Sequence, residues 1–316
     1  MFFSHPVNAE WLKQQRDIMG TRISVELWHE DQDLAKECIQ QAFAEMHRID
    51  QQMSPYKPDS EVSLINDQAG IKAVPVSEEL FRLIKRSTQF SDLSSGAFDI
   101  TFASVGFHYD YRNKVMPDQV MINKLINNVN YRQLVLSKQA IQFKKSGMKI
   151  DLGGIAKGHA VDKTITRLKE CGIQQAMVSA GGDSRIIGDH QGREWIIGIQ
   201  HPRNKNEVAL SIPLSNVAIS TSGDYERYFL SSGERIHHII NPKTGRSANN
   251  TWSATVIGSN ATLTDALSTT VFILGAKKGL ELINGLADVD AIIIDDEAVM
   301  HYSSGLQNPD SSKLSN

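Results

Sequence analysis

The sequence predicts an α+β fold, with mixed and antiparallel sheets packed against helices. Strand-like stretches come in runs, near 175–180, 184–188, 194–200, 208–213 and 216–220, and do not alternate strictly with helices. That order argues against a doubly wound parallel sheet. Helical periodicity over 33–53, and over 263–274 and 276–285, supplies the apolar faces that would cover such sheets. No Pro/Gly/Ser linker or fixed-period repeat divides the chain. The expectation is therefore one domain over 1–316, with a core over 17–300 and peripheral tails at 1–16 and 305–316, although two lobes stay open.

Each element has a local cause. In "MGTRISVELW" (19–28), Ile23, Val25 and Leu27 alternate as in a strand. From Asp33 to Met53, Leu34, Cys38, Ala42, Met46, Ile49 and Met53 recur at three- and four-residue spacing, before the turn "SPYKPDS". Ser77 is a good N-cap, and Glu78 and Glu79 favour the first turn of a helix through Leu80, Leu83 and Ile84. A helical piece is expected at 117–127. A hairpin is expected in "AIQFKKSGMKIDL", turning at Ser146 and Gly147. The next helix buries Ala160, Val161, Ile165 and Leu168 and stops at Gly172. A strand pair around 227–240 and a last strand at 290–295 complete the pattern, before a polar, frayed tail.

Composition narrows the function. The 33 basic and 36 acidic residues nearly balance and form no long like-charge run, which excludes an extended nucleic-acid footprint. Cys38 and Cys171, the two cysteines, lie far apart without metal-ligand spacing, so both are expected as buried free thiols. The N-terminus lacks the features of a secretory signal, and "TTVFILGA" and "AIIIDD" fall well short of the roughly 20 apolar residues of a membrane span. A cytoplasmic chain without a transmembrane segment is expected. A periplasmic one is the alternative if the true start lies upstream.

Several segments carry chemistry. On a helix, Asp265, Ser268 and Thr269 of "TDALSTTVFILG" fall at i, i+3 and i+4, placing one carboxylate and two hydroxyls on one face. Those donors suit a hard cation such as Mg²⁺, although Thr264 or Asp265 could instead cap the helix. "MKIDLGGIAKGHAVD" (148–162) alternates through Met148, Ile150 and Leu152, breaks at Gly153 and Gly154, and enters a helix at Lys157. A helix N-terminus preceded by glycines attracts anions, yet this is neither a P-loop nor a dinucleotide fingerprint, and a tight turn with a solvated lysine explains it equally. Gly181, Gly182 and Asp183 read as a turn. Of His237 and His238, only one can face a given side of a strand; that one is a candidate general base and the other ordinary surface. There is no G-x-S-x-G, H-E-x-x-H or C-x-x-C, which disfavours a conventional hydrolase or zinc enzyme.

Together "MGT" (19–21), "MSPYKPDSEVSLIN" (53–66), "GAFDIT" (96–101), "DLGGIAKGHAVD" (151–162), "GGDSRIIG" (181–188), "HHIINPKTG" (237–245) and "TDALSTT" (264–270) resemble, in order, the ApbE-type FAD:protein FMN transferases. The resemblance implies a T-fold-like domain. It also implies a reaction in which FAD and Mg²⁺ are bound, FMN is moved through a phosphoester onto a threonine of a target flavoprotein, and AMP is released. Targets in such a family are subunits of respiratory complexes such as the sodium-translocating NADH:quinone reductase. By motif, Met19, Tyr56, Ala97, Phe98, Asp99, Asp151, Lys157 and Ile239 would line the flavin or adenine. Gly154, Asp265, Ser268 and Thr269 would hold the metal, and His238 would serve the acceptor hydroxyl as base or orienting group. The stretch "FASVGFHYDYRNK" (102–114) departs from the longer, Trp-containing segment usual there, which bears on the flavin-side wall and acceptor groove. An FAD pyrophosphatase and a non-catalytic flavin binder are the alternatives.

Overall fold

The computed structural model describes residues 10–307. The chain opens with a hairpin of β1 (Glu10–Ile18) and β2 (Thr21–His29), followed by α1 (Gln32–Met53), α2 (Glu61–Gln68), β3 (Val74–Pro75) and α3 (Glu78–Leu93). Next come α4 (Ala103–Gly106), α5 (Gln119–Leu125), β4 (Leu134–Ser137), β5 (Ala140–Phe143), α6 (Ala156–Glu170), β6 (Gln175–Ala180) and β7 (Asp183–Ile187). The strands β8 (Trp195–Gln200), β9 (Val208–Leu214), β10 (Ala218–Gly223), β11 (Tyr228–Ser231), β12 (Glu234–His237) and β13 (Thr251–Gly258) follow. The described chain ends with α7 (Ala261–Asn284), β14 (Asp290–Asp295), β15 (Met300–Tyr302) and α8 (Ser304–Gln307).

The main sheet has eight strands in the order β1-β2-β6-β7-β10-β13-β14-β15. Every pairing in it is antiparallel, so the expected α+β class holds. Ile23, Val25 and Leu27 of β2 and Ala176, Val178 and Ala180 of β6 point into one buried layer. Over that layer α1 lies on β1 and β2, α6 on β6 and β7, and α7 on β10, β13 and β14. Trp195, Leu214, Ile186, Ile219 and Ile257 form a smaller core where the β8–β9 hairpin meets the opposite face.

Helix ends follow their caps. Asp31 accepts from the amides of Asp33 and Leu34 at the start of α1, Ser77 from Leu80 at the start of α3, and Asn260 from Leu263 at the start of α7. The two helices expected at 263–274 and 276–285 run end to end within α7 and are separated, as expected, at Gly275, whose φ 74 and ψ 176 are not helical.

Four expectations are corrected. Residues 148–152 are not a strand, and β5 turns back onto β4 at Lys138 and Gln139 instead of pairing beyond Gly147. Met148, Ile150 and Leu152 are buried as their alternation implied. The amides of Lys149, Ile150 and Asp151, however, donate to the Ser104 hydroxyl, the Asn66 side chain and the Ile100 carbonyl, so no ladder forms. Residues 10–18 are an edge strand and not a peripheral tail, because β1 pairs with β2 along its whole length. Residues 305–307 lie in α8; residues 1–9 and 308–316, where the remaining tail expectations fall, lie outside the described residues. Finally, Cys38 and Cys171 form a disulfide, with Cα atoms 6.0 Å apart across 133 residues. Cys38 lies on the buried face of α1 and Cys171 at the C-cap of α6, and the packing of α1 on α6 brings them together.

Candidate active site

The centre of the site is a clasp between α6 and α7. No side chain of its own caps α6; instead the Gly158 amide donates to Asp265 Oδ2 of α7 at 2.9 Å. The favour is returned by Asp162 of α6, whose oxygens accept from the Ala261 and Thr262 amides at 2.9 and 2.8 Å. Each helix thus neutralises the partial positive charge at the other's N-terminus. The approach is so close that a Cβ on Gly158 would stand 2.1 Å from the Ala261 carbonyl oxygen. Arg185 braces Asp162 from β7 at 2.6 Å.

Asp265 therefore does not cap its own helix. Its carboxylate is buried in a corner with Ser268 and Thr269, one helical turn on, and with Ser222 of β10. Ser222 Oγ lies 2.9 Å from Ser268 Oγ and 3.3 Å from Thr269 Oγ1. Gly154 backs onto the same corner, since a Cβ added there would meet Thr269 Oγ1 at 3.2 Å and the Phe98 ring at 3.3 Å. The four expected metal ligands are thus brought together. Burial and the neighbouring Asp183 carboxylate push the Asp265 carboxyl above its ordinary range, while Lys157 and the Gly158 amide pull it down. A buried carboxylate with hydroxyls beside it suits a hard cation that takes oxygen ligands. Among the described residues, no group of three or more His, Cys, Asp or Glu side chains gathers as an alternative metal centre.

Lys157 turns into this corner. Its ammonium pairs with Asp183, which is 1% exposed, and lies 3.6 Å from Asp265 Oδ1. Burial pulls the ammonium down, but the two carboxylates outweigh it and hold it charged. Asp183, read from sequence as a turn residue, is thus the second carboxylate of the corner. The turn explains its placement: a Cβ on Gly182 would stand 2.4 Å from the Thr221 carbonyl oxygen, so β7 and β10 meet there through glycine alone.

The expected flavin-side residues divide. Tyr56 is 76% exposed and meets the Phe107 ring edge-on at 6.3 Å. Asp151 is half-buried; burial raises its carboxyl, partly offset by the Gly153 amide and by Arg227. Met19, at φ 55, forms with Gly20 the turn between β1 and β2. Ala97, Phe98 and Ile239 are buried. The Asp99 carboxylate is occupied within the fold, accepting from Thr101 N and Oγ1 and from the Tyr131 amide. The Phe98 ring packs edge-on against Phe90 inside the fold. In the departing segment, Tyr109 and Tyr111 stack at 5.9 Å, and the Tyr111 hydroxyl donates to the His237 carbonyl at 3.3 Å.

The two histidines were expected within one strand, but β12 ends at His237 and His238 lies in the bend beyond it. His237 is not surface: it is 3% exposed, its Nε2 donates to the Ala248 carbonyl at 2.7 Å, and its Nδ1 accepts from the Ile239 amide. His238 is half-buried. Its Nδ1 is buried without a hydrogen-bond partner. Burial, then the charges of His237, Arg227 and Lys157, push its imidazole down to about 3, so it is neutral near pH 7. Its backbone amide donates to the Arg227 carbonyl at 3.1 Å.

Asp162 and Gly158 escaped sequence reasoning because both look like ordinary helix-interior residues; only their partners on α7 reveal them. Arg227 was likewise one charge among many on a strand-like run.

A mixed fold of antiparallel sheet and helices, with an oxygen-lined corner at crossed helix N-termini, defines the class. The chain belongs to the ApbE family, whose model matches residues 19–293. The FAD:protein FMN transferase of Haemophilus influenzae is 32% identical over 279 residues, 82% of this chain and 79% of that protein. That of Treponema pallidum is 29% identical over 292 residues, 85% and 80% respectively. The crystal structure of the Thermotoga maritima ApbE protein superposes with a TM-score of 0.85 at 32% identity, covering 94% of this chain and 98% of that one. The flavin transferase ApbE from Vibrio cholerae gives 0.84 at 26% identity, covering 95% and 99%.

Proposed function

We propose that the chain is an FAD:protein FMN transferase that uses Mg²⁺ to move FMN from FAD onto a threonine hydroxyl of an acceptor flavoprotein, releasing AMP. The observation that carries this reading is the corner itself: a buried Asp265, with Ser268 and Thr269 beside it, folded against the Gly154 backbone. A protein that only bound isoalloxazine would have no use for a buried carboxylate among hydroxyls. Phosphoryl transfer asks mainly for positioning and for neutralised charge, and the named relatives are transferases of this kind.

Asp265, Ser268, Thr269 and the Gly154 carbonyl would hold the cation, which supplies charge neutralisation to the diphosphate. The threonine oxygen forms a bond to the phosphorus of the FMN half, and the bond from that phosphorus to the bridging oxygen breaks, so the bridging oxygen leaves with AMP. His238, neutral near pH 7 but held down to about 3 and so a weak base, would accept a hydrogen bond from the acceptor hydroxyl and orient it, the hydroxyl proton passing to water. Lys157 holds Asp183 and Asp265 in place as their counter-charge. The aromatic surface at Tyr56 and Phe107 offers the flavin ring a wall.

Incubation with FAD, Mg²⁺ and a threonine-bearing acceptor is expected to give an acceptor heavier by one FMN in intact-mass spectrometry. Free FMN and AMP with an unchanged acceptor would instead establish the pyrophosphatase, and intact FAD would leave neither reaction. An oxidising compartment, the periplasmic alternative, is the proposed site of action, supported by the Cys38–Cys171 disulfide. Alkylation of the unreduced, denatured protein taken from its own cells is expected to leave both cysteines unlabelled. Full labelling of both would reverse the assignment.

A further inference from the structure

The corner leaves a charge unanswered. Lys157 is one positive charge against the two carboxylates of Asp183 and Asp265. A divalent cation brings the corner to a single positive charge, whereas the diphosphate of FAD carries two negative ones. Another cation is needed at the opening, and Lys157, held between two acids, cannot turn out to supply it.

Arg227 stands where that charge is required. It lies in the exposed connection between β10 and β11, and among the described residues no carboxylate comes within ion-pair distance of it. Two contacts fix its place. Its carbonyl accepts from the His238 amide at 3.1 Å, and its Nη2 donates to the Gly20 carbonyl at 3.3 Å, in the turn that carries Met19. That turn accepts the arginine because position 20 is glycine, at φ 69; a Cβ there would come within 3.0 Å of Nη2. Its positive charge also favours the ionised forms of Tyr56, Tyr111 and Asp151 and disfavours that of His238. One of the five guanidinium donors is used by Gly20, leaving the rest for an anion.

We propose that Arg227 is a substrate-binding residue whose guanidinium holds the diphosphate of FAD at the mouth of the site, between the Met19–Gly20 turn and His238. The assignment rests on FAD being the substrate, and it adds no covalent step: the arginine fixes the phosphates while the bond between them is broken at the corner. Riboflavin, which has the same ring and no phosphate, should not notice it.

The test compares FAD and riboflavin binding, by flavin fluorescence with Mg²⁺ present, in the wild type, Arg227→Gln and Arg227→Lys. The Gln variant is expected to bind FAD about tenfold or more weakly and riboflavin as the wild type does, because a hydrogen bond to a charged group is lost. Arg227→Lys should recover part of the difference, KM for FAD should rise more than kcat falls, and the thermal midpoint should not move. Unchanged FAD affinity in Arg227→Gln would overturn the proposal, as would equal weakening of FAD and riboflavin, which would make the arginine part of the ring wall. A wild type that binds FAD with this discrimination yet transfers no FMN would remove the transferase reading and keep Arg227 as a phosphate ligand. A wild type that binds no FAD would remove both.

Discussion

The inner corner and the outer rim of the site are built on opposite plans. In the corner, Asp183, Asp265 and Ser268 are all but completely buried and already bonded to Lys157, to the Gly158 amide and to Ser222. At the rim, Tyr56 and Phe107 are exposed and meet edge-on. The corner is pre-organised by the same contacts that join α6 to α7, so its geometry does not wait for a ligand. The rim presents apolar surface to water, which is the usual mark of a face that meets something else. Substitutions in the corner should therefore affect chemistry and stability together, and those at the rim affinity alone.

The largest effect should come from Asp265. Replacement by Ala is expected to lower FMN transfer by roughly a thousandfold or more, because the proposed metal ligands lose their one carboxylate. Asp265→Asn keeps an acceptor for the Gly158 amide and should be as inactive while retaining more stability. Full activity in the Asn variant would mean that the carboxylate serves only the clasp.

Gly158→Ala probes the clasp itself. With the Ala261 carbonyl oxygen 2.1 Å from the new Cβ, the helices must part, at a cost of roughly 3 kcal/mol in urea unfolding. A loss below about 0.5 kcal/mol, the scale of an ordinary surface change, would show that the corner is not rigid.

Tyr56→Ala tests the rim. A residue 76% exposed should contribute little to folding, within about 0.5 kcal/mol, while flavin affinity falls about tenfold through loss of ring contact. A fall in stability without a fall in affinity would reverse the contrast between the two regions.

The smallest effect lies behind α6, where Glu79 of α3 bonds His159 at 2.9 Å and Arg48 at 2.8 Å. The His159 hydrogen bond, against the upward push of burial, holds its carboxyl at about 2, well below its ordinary 4.5. Because the folded form binds the proton less readily, this contribution is fully present above pH 4.5 and is lost as pH falls towards 2. Glu79→Gln should flatten the acid limb of the stability curve by about 1 kcal/mol. An unchanged limb would place the acid sensitivity elsewhere.

Much of the fold was legible locally. The strand β2 shows in alternation and β14 as a short apolar run, β6 to β9 were also expected as strands, and α1, α3 and α7 show in apolar spacing and caps. Elements were lost where local signals conflict. In β13, "TWSATVIG", buried Thr251, Ser253 and Thr255 interrupt the apolar pattern. In 148–152, a buried alternation was real but its backbone bonds were spent on side chains. For the site, i, i+3, i+4 spacing was enough to place Asp265, Ser268 and Thr269 together, since a helix carries that information within one turn. Spacing alone left His237 and His238 interchangeable; the family resemblance named His238, and the structure shows that the His237 ring is spent on Ala248 and Ile239.

By itself the sequence determined the helix caps, the strand faces, the order of seven family motifs and the oxygen-rich turn of α7, because each is written in residues a few positions apart. Only the tertiary structure decided that Gly158 meets Asp265 across 107 residues, that Cys38 meets Cys171 across 133, that Lys157 is claimed by Asp183, and that Arg227 is left unclaimed. Those outcomes depend on which helix faces pack and how closely two backbones approach. No local periodicity carries that, because the partner's position is set by the whole sheet beneath it.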